Sequence, residues 1–163
     1  VKNQEIPGGL LEDDDFDFTD NTNGTITDNR TGLIWLNSTF AQVMGNKKNW
    51  AFAIDFASNV ALCNDGTLQG TDFVAGDCLN NGGVKYDDWR LPNVQELLEI
   101  TKLENKAGAP QILMDVGGFG SVQWTATLFD NVYAWCVGDG ISFGTVDRCP
   151  KTAKFNVQLV REN

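Results

Sequence analysis

Asp87-Asp88-Trp89-Arg90-Leu91-Pro92-Asn93-Val94-Gln95-Glu96-Leu97 is the stretch from which the fold can be read. Asn93 carries the short polar side chain that accepts orphan backbone N–H groups at a helix start. Glu96, three residues on, completes a variant of the capping box. Val94, Leu97, Leu98 and Thr101 then recur at helical spacing, which predicts a helix burying that stripe and ending near residues 104–107, ahead of Gly108 and Pro110. Asp88, Trp89 and Arg90 stand immediately before the helix and admit two readings. As a ligand clamp they would offer a carboxylate, an aromatic plate and a fork of donors. As scaffold, Trp89 would plug the core and Arg90 would pair with a buried carboxylate such as Asp28 or Asp88.

Working outward, Trp50, Ala53, Ile54 and Ala57 mark one face of a second helix, from an N-cap at Asn49 to about Val60. Further upstream, Gly24-Thr-Ile-Thr-Asp-Asn-Arg-Thr-Gly-Leu-Ile-Trp35 has strand composition at both ends and turn chemistry at residues 28–32, the signature of a β-hairpin. Between the helices lies a loop, residues 64–83, with five glycines. Long loops of this kind are uncommon unless functional, so it is a candidate ligand site. Beyond Gly120 the chain reads as β: Val122 to Thr127, Val132 to Val137 and Ile141 to Thr145. In the last segment Phe155, Val157 and Leu159 alternate with Lys154, Asn156 and Gln158, the pattern of a half-buried strand. Hairpin, helix, loop, helix and then strands make an α+β fold. Residues 1–17 read as a flexible acidic lead-in, and residues 18–163 as a single domain.

The bulk properties bound the function. The chain has 163 residues and a net charge of −10, from 22 acidic and 12 basic side chains. Such a surface repels phosphate backbones and the anionic membrane surfaces that a polybasic patch would bind, and no stretch of about 18 apolar residues is present, so neither nucleic acid nor membrane insertion is expected. The chain starts at Val1, which reads as a mature form from which any export signal has been removed. Histidine is absent, which removes Ser-His-Asp and Cys-His catalysis and histidine metal ligation.

Cys63, Cys78, Cys136 and Cys149 form an even set with no CxxC, and three connectivities are open. Local pairing, Cys63 with Cys78 and Cys136 with Cys149, would close two Gly- and Asp-rich loops, each contributing on the order of 3 kcal/mol in the chain-entropy account. Disulfides would place the protein in the periplasm, at the cell surface or in the medium; four buried thiols in a cytosolic protein are the alternative.

Two constellations are candidates for ligand contact. Trp124, Tyr133 and Trp135 fall on expected strands beside the second cysteine loop. Alternation puts Tyr133 and Trp135 on one face, where aromatic rings could take up the C–H surface of a sugar. Asp147 and Arg148 would edge that site. The bland reading makes the three aromatics ordinary core. The second constellation is acidic: Asp13 to Asp20, where Thr19-Asp-Asn-Thr-Asn-Gly24 imitates half a calcium loop. Thr19 stands where the first carboxylate belongs and Arg30 where the bidentate Glu belongs, so no metal is expected, with calcium the one cofactor to consider.

Three strings, Asn23 to Trp35, Asp87 to Leu97, and Gln123-Trp-Thr-Ala-Thr127 with the closing Leu159-Val-Arg161, together resemble the Lcl C-terminal domain family of bacterial exported domains, named for a collagen-like adhesin. The Arg90-Leu-Pro element is also similar to one in formylglycine-generating sulfatase modifiers. The resemblance implies a C-type-lectin-like fold, two helices on antiparallel sheets with disulfide-closed loops, an envelope or extracellular location, and an adhesive role. It also implies that Asp28, Arg30, Trp35, Asp88, Trp89, Arg90, Pro92 and Glu96 are scaffold, because the motif recurs in proteins of different function. The expected role is therefore a non-catalytic module binding carbohydrate or an envelope protein. The alternatives are a cysteine-dependent oxidase and an oligomerising structural domain.

Overall fold

The computed structural model describes residues 17–37, 47–70, 75–104, 122–138 and 145–163. The expected lead-in therefore falls outside the described residues except for its last position. The element order is β1 (Phe18–Asp20), β2 (Thr25–Asp28), β3 (Ile34–Leu36), α1 (Trp50–Asn59), β4 (Ala61–Cys63), β5 (Leu68–Gln69), a 3-10 helix (Ala75–Asn81), β6 (Val84–Tyr86), α2 (Val94–Glu104), β7 (Val122–Leu128), β8 (Tyr133–Gly138), β9 (Thr145–Pro150) and β10 (Val160–Arg161). The class is α+β, and the described residues form two α-helices and three antiparallel sheets ordered β1-β2-β3-β10, β5-β4-β6 and β7-β8-β9.

The hairpin expected at 24–35 is β2–β3, in the register Ile26↔Trp35. Its turn closes with the N–H of Gly32 donating to Asp28 O at 2.7 Å, and Gly32 takes φ +75°, a conformation that a Cβ would strain. Asn49 caps α1 by accepting from the Phe52 N–H. Ala53, Phe56 and Ala57 are buried, with Trp50 and Ile54 packed at the margin. Helix α2 starts as its capping box requires. Asn93 Oδ1 accepts from the N–H groups of Gln95 and Glu96 at 2.9 and 3.0 Å, and Glu96 accepts from the Asn93 N–H at 2.8 Å. The remaining N-terminal donors are also met, Val94 N–H by Thr127 Oγ1 and Leu97 N–H by Asn93 O.

The β7–β8–β9 sheet divides the interior. On one side Trp124, Ala134, Cys136 and Cys149 join Trp89, Leu36, Leu62 and the buried face of α1. On the other, Val137 packs with Ile26, Trp35, Val160 and the α2 residues Leu97 and Ile100.

Three expectations change. The loop at 64–83 is not structureless: β5, the 3-10 helix and β6 lie within or beside it, and β4 pairs with both β5 and β6. These strands have only two or three residues each, too few for a period to register. The closing segment is not half-buried either. Asn156, Val157, Gln158 and Leu159 are all buried, so alternation of residue type does not mark a wet face. The segment threads between elements instead, bridging Lys48 through Phe155 and Gln123 through Asn156, while Gln158 Nε2 donates to Leu36 O at 2.7 Å. Finally, of the strand expected at 141–145 only Thr145 is described. It opens β9, which runs on to Pro150.

Both cysteine pairs are local, as one of the three connectivities requires: Cys63–Cys78 and Cys136–Cys149. The second links neighbouring strands diagonally, since Cys136 faces Asp147 and Cys149 faces Ala134. With 13 residues of sequence separation, its removal in a Cys136→Ser/Cys149→Ser variant should cost about 3 kcal/mol. Urea unfolding would register this as a lower midpoint with a folded baseline retained.

Candidate functional site

The residues around α2 form a fastening rather than a clamp. Arg90 does not pair with Asp28 or Asp88. Its two terminal nitrogens donate to the two oxygens of Glu96, each at 2.8 Å. Asp28 is taken by Arg30, whose Nε and Nη2 reach its two oxygens at 3.0 Å. Asp88 is taken by Arg161 at 2.6 and 3.0 Å, with the Arg161 guanidinium 4.2 Å from the Tyr86 ring centroid. Trp89 and Trp35 are buried, and Pro92 is buried behind them. Sequence spacing could not choose among these carboxylates; the helix start does, because only Glu96 is already held at the N-terminus of α2.

Burial pushes the Glu96 carboxyl up, but the hydrogen bonds from Arg90 and the Asn93 N–H, with the Arg90 charge, outweigh it and leave it below its ordinary value. The hydrogen bonds from Arg161 likewise hold Asp88 low, against a smaller burial effect.

The aromatic constellation splits between the two faces of the sheet. Trp124 does not belong to a ligand platform: it is 0 % exposed, its Nε1 donates to Lys48 O at 2.7 Å, and its ring lies 4.8 Å from that of Phe155. Trp124 pairs with Cys136, and therefore shares the inward face of that residue. Tyr133 and Trp135 are half-buried on the opposite face, as alternation along β8 requires. Trp135 pairs in register with Arg148.

Sequence reasoning missed Phe129. Its ring meets Trp135 edge-on at 5.2 Å, the Arg148 guanidinium lies 5.5 Å from its centroid, and it is 44 % exposed. The signal was available in Leu128-Phe129-Asp130-Asn131, an aromatic placed at a turn between two strands. Asp130 builds that turn by accepting from the N–H groups of Val132 and Tyr133, both at 2.7 Å. Those two bonds hold its carboxyl below the ordinary value, helped by the charges of Lys151 and Arg148. Leu128, Val132 and Val146 are exposed as well. Asp147 does not present its carboxylate to the rings; one oxygen accepts from the Arg148 N–H at 2.7 Å.

In the imitation of a calcium loop, the side chains bond their own strand ends. Asp20 accepts from the Thr22 N–H, Asn23 from Thr25, and Asn21 donates to Thr25 and Thr27. Among the described residues no three Asp, Glu or Cys side chains converge as metal ligands would, and no helix is long and apolar enough to cross a membrane.

The model of the Lcl C-terminal domain family matches residues 24–161, and the chain belongs to that family. No curated protein matches the chain, and no solved structure does. A relation to formylglycine-generating proteins is not among the findings. Membership points to an extracellular module of adhesin type, and the two disulfides fit an extracellular or envelope setting.

Glu96 and Asp88 have folded-state values below their unfolded ones, so protonation favours the unfolded chain. The stability they contribute is present at neutral pH and is lost as pH falls below about 4.3 and 3.9, towards the lowered values. Urea titrations from neutral to acid pH should show Glu96→Gln less stable than the parent at neutral pH and converging with it in acid. Parallel profiles would remove Glu96 as a source of acid sensitivity.

Proposed function

We propose that this Lcl C-terminal domain is an exported, non-catalytic binding module that recognises carbohydrate across the Trp135–Phe129–Arg148 face, on a frame of C-type-lectin-like type. The observation that carries the reading is the edge-to-face pair of the exposed Phe129 and the half-buried Trp135, with an arginine over the Phe129 ring. An aromatic face removes the apolar C–H surface of a pyranose from water, and groups at its rim fix the hydroxyls. Arg148 supplies donors at that rim, and Tyr133 lies on the same face of β8. The frame is consistent with the lectin-like type: two helices, antiparallel sheets and two local disulfides.

The non-catalytic part of the reading rests on the residues that chemistry would need. The chain has no histidine. All four cysteines are in disulfides and are buried, which gives no support to a thiol-dependent oxidase. Periplasm, cell surface and medium all suit such a module. The exposed Leu128, Val132 and Val146 favour a protein ligand as the second reading, because they offer apolar contact that a glycan does not need.

A glycan array and an envelope-extract pull-down, each run with the parent protein and with Trp135→Ala, separate the readings. The expected result is saturable glycan binding that survives EDTA and falls at least tenfold in the variant, whose far-UV spectrum and melting curve stay close to those of the parent. Protein capture without glycan binding would move the assignment to the second reading. Binding that Trp135→Ala leaves unchanged would overturn the site.

A further inference from the structure

The register of the β8–β9 hairpin decides which way each backbone group of β9 points. Thr125 Oγ1 donates to Trp135 O, so the Trp135 carbonyl is directed towards β7. In an antiparallel ladder a residue whose main-chain groups face one neighbour turns them away from the other. Trp135 and Arg148 are therefore a non-hydrogen-bonded pair, and Cys136 and Asp147 the hydrogen-bonded one. It follows that Val146, Arg148 and position 150 direct their main-chain groups outward, away from β8. Among the described residues β9 is the last strand of its sheet and is exposed at every residue but Cys149. An edge of this kind is a template for pairing with another chain. The β7 edge differs, because Trp124 N–H and Val122 O are already bonded to Asn156.

Two of the three outward positions on β9 present no free donor. The Arg148 N–H is bonded to Asp147 Oδ1 at 2.7 Å. The third position is Pro150, which has no N–H. Among the described residues the outward carbonyls of Val146 and Arg148 stay available, whereas that of Pro150 already accepts from the Ala153 N–H at 2.8 Å, so the edge offers two acceptors and a single donor, at Val146. A second strand laid against it would have to break the Asp147 bond, desolvate that carboxylate, and meet neither a donor nor a free acceptor at Pro150.

We infer that Asp147 and Pro150 guard the β9 edge against strand addition by a second copy of this chain. The hazard they answer is local. Val146 is 39 % exposed and offers apolar surface on the edge itself once the backbone is open. Asp147 thus serves the backbone, which explains why its carboxylate turns away from the aromatic face.

The test compares sedimentation velocity over a hundredfold concentration range for the parent, Asp147→Asn, Asp147→Ala and Asp147→Ala/Val146→Pro, with circular dichroism confirming that each is folded. Asp147→Asn keeps a side-chain carbonyl to accept from the Arg148 N–H and should sediment as the parent does. Asp147→Ala should shift to larger species as concentration rises. Adding Val146→Pro removes the last outward donor at a position where the N–H is not needed by β8, and should restore the parent profile. An Asp147→Ala protein that sediments like the parent at every concentration would overturn the guard. Association that persists in the double variant would overturn the β9 edge as its route.

Discussion

The Arg90–Glu96 pair is where the separate parts of the fold are tied to one another. Glu96 belongs to α2 and closes its capping box; Arg90 belongs to the extended chain that precedes it. From this pair the connections run outward through the backbone. Arg90 exchanges both main-chain bonds with Val160, which carries the strand β10 of the first sheet. Pro92 O accepts from the Ala126 N–H, and Val94 donates to Thr127, both on β7. One helix start therefore fixes the angle between two sheets. Arg90 is partly exposed, but its planar fork matches the carboxylate at both oxygens, a geometry that outperforms an ordinary surface ion pair.

With that junction fixed, the β7–β8–β9 sheet works as a partition. Its inner face completes the core with Trp124 and the Cys136–Cys149 disulfide. On its outer face Val137 packs with α2, while among the described residues Phe129 and Arg148 are exposed and Trp135 is half-buried. The strands are thus held from the buried side, by packing and a covalent link, while the face proposed for ligand contact bears little of the structural load.

What could be read from the sequence follows the range of each interaction. The α2 cap, the hairpin turn at Asp28–Gly32 and the Asn49 cap are settled by residues two to four positions apart, and each was legible. Local cysteine pairing was one reading among three, and short loops favour it. Arg90 was correctly expected to pair with a carboxylate, but naming Glu96 required knowing that the capped end of α2 folds back onto it. Trp124 and Trp135 looked alike until the pairing of β7 with β8 put them on opposite faces, a distinction that depends on a register with an irregularity between Trp124 and Leu128. The burial of Asn156 and Gln158 was illegible for a related reason: they are enclosed by elements from three parts of the chain, and no window of sequence contains that enclosure.

The diagonal disulfide beneath the hairpin has a consequence for how this protein can change. Cys136 and Cys149 clamp the two strands from the inside, directly behind the positions of Trp135 and Arg148. Substitutions on the outer side therefore alter what the molecule touches without loosening how its strands are joined. Such an arrangement lets the outer surface diversify while the architecture underneath stays put.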